Sequence, residues 1–92
     1  MMNYMKKINQ IEYIVKGFSN KTRINIIFIL SKRSELSVGQ IANYFNKDYK
    51  TVSHHLQKMM ATGIVMKRNS GKEVRHALTE KGKVIFKFLE KI

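Results

Sequence analysis

Residues 48–63, DYKTVSHHLQKMMATG, constrain the fold of this chain more than any other stretch, because they spell a helix from its start signal to its stop signal. Val52, Leu56, Met59 and Met60 recur at helical spacing and make one apolar face, which leaves Tyr49, Lys50, Ser53, His54 and Gln57 on the other. Asp48 suits the N-cap, where its carboxylate can accept hydrogen bonds from the unpaired N–H groups of the first turn. Gly63 suits the residue just past the end, where the backbone turns into the left-handed region. A capped helix that displays hydroxyl, amide, imidazole and ammonium groups offers what the base edges and phosphates of a major groove require.

The flanking segments extend the pattern. Upstream, Ser37-Val38-Gly39-Gln40 has the form of a capping box, and Val38, Ile41, Ala42 and Phe45 give the short helix behind it a buried face. Asn46 and Lys47 make the turn, so residues 37–62 read as a helix-turn-helix. Downstream, Ile64-Val65-Met66-Lys67-Arg68 and Glu73-Val74-Arg75-His76-Ala77-Leu78 are β-prone runs separated by Asn69-Ser70-Gly71-Lys72, which predicts a hairpin over residues 64–78. Lys67, Arg68, Lys72 and Arg75 surround its tip. A helix-turn-helix followed by a basic hairpin is a winged helix-turn-helix. The expected class is mainly α, with about five helices and a two- or three-stranded sheet.

Ninety-two residues allow one domain with a single modest core. Eighteen Lys and Arg against six Asp and Glu give a formal charge of +12, which favours a polyanionic partner. Seven of the cations lie between residues 47 and 76 (Lys47, Lys50, Lys58, Lys67, Arg68, Lys72 and Arg75), against Asp48 and Glu73. The remaining excess is spread along the chain, so charge supports nucleic-acid binding without locating it. The absence of Cys excludes disulfides, thiolate metal sites and thiol switching. No apolar run approaches the roughly 20 residues needed to span a bilayer, and MMNYMKKINQ lacks the apolar core of a signal peptide. A cytoplasmic protein with no membrane partner is the expectation.

Two further helices are expected to reach beyond the core. Tyr4, Ile8, Ile11, Val15 and Phe18 step by 4, 3, 4 and 3 residues within segment 1–18, the seam spacing of a helix that packs lengthwise on another. A dimer contact and packing on the chain's own core would both give this stripe. Thr79 can cap a last helix over residues 79–92, where Ile85, Phe88, Leu89 and Ile92 line one face and Val84 and Phe86 widen it. That arc exceeds what one small body covers, which points to a partner subunit. Between them, Ser19 or Asn20 can cap a helix through Thr22–Leu30. Its four Ile and a Phe favour a strand by propensity alone, whereas the cap and the flanking helices favour a central, buried helix.

From about Gly17 to Ile92 the chain resembles the small winged-helix repressors of the ArsR family. The resemblance rests on Asn20-Lys21-Thr22-Arg23, Glu35-Leu36-Ser37-Val38-Gly39-Gln40-Ile41-Ala42, Thr51-Val52-Ser53-His54-His55-Leu56, Ala61-Thr62-Gly63-Ile64-Val65 and Leu78-Thr79-Glu80-Lys81-Gly82. It implies a homodimer built from the first and last helices, with Tyr4, Ile8, Ile11, Val15, Ile85, Phe88, Leu89 and Ile92 at the interface. It also implies two recognition helices entering successive major grooves of a pseudo-palindromic double-stranded DNA operator, half-sites ~34 Å apart. One departure bears on regulation. Metal-sensing members carry Cys-Val-Cys-Asp where this chain reads Ser37, Val38, Gly39 and Gln40, and residues 80–92 hold Glu80 and Glu90 but no His. No regulatory metal and no cofactor are expected.

The residues assigned to DNA are Lys47, Tyr49, Lys50, Thr51, Ser53, His54, Gln57, Lys58, Lys67, Arg68, Lys72 and Arg75. Tyr49, Lys50, Ser53, His54 and Gln57 are expected to read bases, and the remaining cations to contact phosphates, with a wing cation available to an adjacent narrow minor groove. His55 falls beside the buried side of its helix and reads as structural. His76 can touch a phosphate or simply fill a strand position. A metal site shared by His54, His55 and His76 is disfavoured, since neighbouring helical side chains such as His54 and His55 point about 100° apart. No Gly-rich phosphate loop, metal-binding His pair or nucleophile elbow is present, so an enzyme is not expected. Binding to structured RNA or a ribonucleoprotein, and a protein-interaction role, are the alternatives to a DNA-binding regulator.

Overall fold

The computed structural model describes residues 2–92, and five helices and one hairpin follow in chain order. They are α1 (Met2–Lys16), α2 (Lys21–Lys32), α3 (Val38–Phe45), α4 (Tyr49–Ala61), β1 (Val65–Ser70), β2 (Glu73–Leu78) and α5 (Glu80–Glu90). The Ile-rich segment is the helix α2. Asn20 is its cap, its side-chain oxygen accepting from the N–H groups of Thr22 at 2.9 Å and Arg23 at 3.2 Å. Burial overrides β propensity here, because Ile26, Ile27, Ile29 and Leu30 are all taken into the core.

That core joins α2 to Ile41 and Ala42 of α3, Val52, Leu56 and Met59 of α4, and Ile64, Val65 and Leu78 of the hairpin. Phe28 of α2 meets Phe86 of α5 edge to face, with ring centroids 5.1 Å apart. The strands pair antiparallel from Val65↔Leu78 to Ser70↔Glu73, so the turn consists of Gly71 and Lys72 alone, shorter than the four polar residues suggest. Gly71 takes φ +63°, as the first central position of a tight hairpin turn can require. An isolated antiparallel bridge, Leu36↔His76, adds a rung beside β2.

The terminal helices divide their apolar residues. Ile14 and Phe18 pack against the core, whereas Tyr4, Ile8, Ile11 and Val15 stay exposed. In α5 the division differs from the expected single face: Ile85, Phe86 and Leu89 lean on the core, while Val84, Phe88 and Ile92 face solvent. Ile85 and Leu89 therefore belong in large part to the chain's own core packing. No described helix is long and apolar enough to cross a membrane.

Candidate nucleic-acid interface

The helix-turn-helix is held by three caps. Ser37 Oγ accepts from the Gln40 N–H at 3.1 Å, and the Ser37 N–H donates to Gln40 Oε1 at 2.9 Å, closing the capping box of α3. Asn46 ends α3 in the left-handed region at φ 53°, where Asn is among the few residues tolerated, and its N–H returns to the carbonyls of Ala42 and Asn43. Asp48 then starts α4, accepting from the Thr51 N–H at 3.1 Å and from the Thr51 hydroxyl. These two hydrogen bonds hold the Asp48 carboxyl below the usual carboxylate value. Thr51, assigned to DNA on sequence, thus has its hydroxyl proton committed to the cap.

With Val52, Leu56 and Met59 inward, helical spacing sets Ser53, Gln57, Lys50, His54 and Lys58 along one outward arc of α4. Its two flanks differ. Toward the wing, Tyr49, Ser53, Gln57 and Met60 face Lys67 and Lys72 across a groove of about 520 Å³. Toward α2, Lys47, His54, Lys58 and Arg23 surround His55. Partial burial and then the positive charges of Arg23, His54, Lys47 and Lys58 push His55 below the usual imidazole value. Arg23 went unassigned in the sequence. Its Nε and the His55 Nδ1 are shielded from solvent and have no hydrogen-bond partner among the described residues.

Strand pairing divides the wing cations between two faces. Lys67 and its partner His76 look toward α4, whereas Met66, Arg68 and their partners Ala77 and Arg75 look the other way. Arg68 accordingly lines a cavity on the far side of the hairpin. Arg75 is tied to Glu73, donating through Nη2 at 2.8 Å and Nε at 3.2 Å, and reaches the Glu35 carbonyl at 3.5 Å. Of the four wing cations, Lys67 and Lys72 share the groove with α4, and Arg68 and Arg75 lie on the other face of the hairpin. His76 is 2% exposed and fills a strand position. Its Nδ1 lies 3.2 Å from the Leu36 carbonyl, an acceptor, so the neutral ring carries its proton on Nδ1. Burial lowers its pKa, partly offset by this hydrogen bond, and Lys67 lowers it further.

The sequence model described as bacterial regulatory protein, arsR family, matches residues 20–67, more than half of the chain and the whole helix-turn-helix. The chain belongs to the ArsR family. Among its relatives, a cadmium resistance transcriptional regulatory protein CadC homolog of Staphylococcus aureus is 36% identical over 67 residues, which are 73% of this ArsR-family chain and 55% of that protein. The HTH-type transcriptional regulator MJ1325 of Methanocaldococcus jannaschii is 33% identical over 67 residues, 73% of this chain and 75% of that one. The ArsR-family chain thus spans little more than half the length of the CadC homolog. In structure it is similar to the homodimeric winged helix-turn-helix DNA-binding domain of Mb0332 from Mycobacterium bovis, with a TM-score of 0.85 at 23% identity, covering 95% of this chain and 81% of that domain. At that identity the likeness concerns the fold, which is a winged helix-turn-helix. The relatives are transcriptional regulators, not enzymes.

Proposed function

We propose that this chain is a sequence-specific regulator of transcription that binds double-stranded DNA as a homodimer. In this reading α4 lies in the major groove, and Lys67 and Lys72 of the wing hold the adjoining backbone. The observation that carries it is the single groove shared by Tyr49, Ser53 and Gln57 of α4 with Lys67 and Lys72. One wall presents groups that discriminate base edges, and the other presents cations for phosphates. Lys47, Lys50, His54 and Lys58 extend the cationic surface past the helix, so phosphates on its opposite side are also met.

The dimer reading is supported by apolar surface that one chain leaves uncovered. Ile8 is 60% exposed, Phe88 66% and Ile92 88%, and Tyr4, Ile11, Val15 and Val84 share that exposure. A homodimeric domain of the same fold is known in Mb0332. A two-fold dimer presents two α4 helices and suits a pseudo-palindromic site. Occupying a promoter in this way would repress by blocking polymerase. We infer that the regulator does not answer to metal, since Ser37 and Gly39 stand where metal-sensing members carry thiolates, and the Ser37 hydroxyl is engaged in a capping box with Gln40.

Fluorescence anisotropy tests the reading, with duplex from upstream of the protein's own gene and a scrambled duplex at about 0.15 M salt. Preference of about a thousandfold for the native duplex is expected of a specific regulator. Equal, steeply salt-dependent binding to both, preference for A-form RNA, or no binding would overturn it. Sedimentation equilibrium tests the dimer separately: Ile8→Glu should yield monomers.

A further inference from the structure

The face of the wing turned away from α4 forms part of a second site. Between the end of α2, the outer face of the hairpin and α5 lies a cavity of about 500 Å³. Leu30, Met66, Leu78 and Phe86 supply its apolar lining, and Arg68, Lys83 and Lys87 supply three cations against the single carboxylate of Glu35. Lys83 reaches Glu80 at 3.4 Å, while neither Arg68 nor Lys87 has an acidic partner among the described residues. Arg68 also stands directly opposite Arg75 across the ladder, a like-charge pairing that is unfavourable unless compensated. Glu73 compensates Arg75, and nothing described compensates Arg68.

Ser31 and Ser34 complete the lining, so the cavity sets polar and charged groups beside an apolar wall, a form that small-ligand sites take. Here three cations outnumber the one carboxylate and sit beside hydrocarbon, which selects a ligand with an anionic head and an apolar body. We propose that this cavity binds a small amphipathic carboxylate, its head held by Arg68 and Lys87 and its tail against Leu30, Met66 and Phe86. Arg68 suits the head because its guanidinium can bind a carboxylate through two parallel hydrogen bonds. Phe86 lies across the α5 axis from the exposed Val84 and Phe88, so the apolar wall of the cavity is turned away from that stripe, while Lys87, three residues on from Val84, stands at the border between the two. The proposal does not depend on the DNA reading, since it concerns binding by the free protein.

The test is two-dimensional amide NMR of the full chain titrated with octanoate and, in parallel, with uncharged octanol. Saturable octanoate shifts are expected at Glu35, Arg68, Ala77 and Phe86, with far weaker effects of octanol. Arg68→Gln together with Lys87→Gln changes two exposed side chains and should weaken octanoate about tenfold or more, as loss of charge-assisted hydrogen bonds implies. Equal response to octanol, shifts confined to the exposed stripe of α1, no shifts, or undiminished binding by the double variant would each overturn the proposal.

Discussion

Gly82 lies flush against the carbonyl of Ile64: a Cβ built on Gly82 would fall inside contact distance of that oxygen and 3.1 Å from Leu78 Cδ2. The first turn of α5 is seated there by Thr79, whose hydroxyl donates to the carbonyl of Gly63 and accepts from the Gly82 N–H at 3.0 Å. The end of α4, the root of the wing and the start of α5 are thus locked at one point. Gly82→Ala should push α5 off Ile64, because the clash is with backbone and cannot be relieved by a rotamer. Overpacking of this kind costs about 1–3 kcal/mol. A lowered urea midpoint at unchanged slope is the expected result.

The two-faced wing separates its cations functionally. Lys67→Gln should reduce DNA affinity and lower the log–log salt slope by about 1.8, which is ~0.9 for one neutralised phosphate in each protomer of the dimer. Arg68→Gln, on the opposite face, should leave both nearly unchanged. Anisotropy titrations at four or five salt concentrations distinguish these outcomes, and equal losses for the two variants would show that the hairpin twists to present both faces.

Much of this was legible in the sequence because local signals agreed with one another. Asp48 and Gly63 bracket α4, Ser37 and Gln40 announce α3, and the apolar residues of both fall at helical spacing. The faces of the wing were not legible. Side chains alternate along a strand, so Lys67 and Arg68 must face opposite ways whether the turn has two residues or four, but which of those faces meets α4 depends on how the hairpin packs. The bridge between Leu36 and His76 and the groove shared with α4 turn the face of His76 and Lys67 inward and that of Arg68 outward. In α5, the sequence shows a broad apolar arc but not its division, since the seating of Gly82 sets which side of the helix meets α2. Glu73 and Arg75 were readable as a pair in hindsight, because residues two apart on a strand share a face.

The capping box gives a stability test away from DNA. Ser37→Ala removes the oxygen that satisfies the Gln40 N–H, and loss of such a cap costs about 1 kcal/mol. Ser37→Asp, which keeps an acceptor at that position and adds charge favourable to a helix N-terminus, should recover most of the loss. Thermal melts of the three proteins compare them directly.

Acid sensitivity should appear before any carboxylate titrates. Burial holds the His76 imidazole below its usual 6.5, so the folded state binds its proton less readily than the unfolded chain does. The resulting stabilisation is complete above about pH 6.5, and it declines as pH falls from there through the lowered folded value. His55 is shifted in the same direction and adds to the slope. The melting temperature should therefore fall between about pH 7 and 5, above the range in which Asp and Glu ordinarily protonate. His76→Asn keeps a side-chain donor near the Leu36 carbonyl but cannot titrate. It should melt lower than the parent at pH 7.5, where the lost packing dominates, yet lose less on acidification. A parent protein whose melting temperature stays level across this window would show that His76 escapes burial when protonated, by release of the Leu36↔His76 bridge.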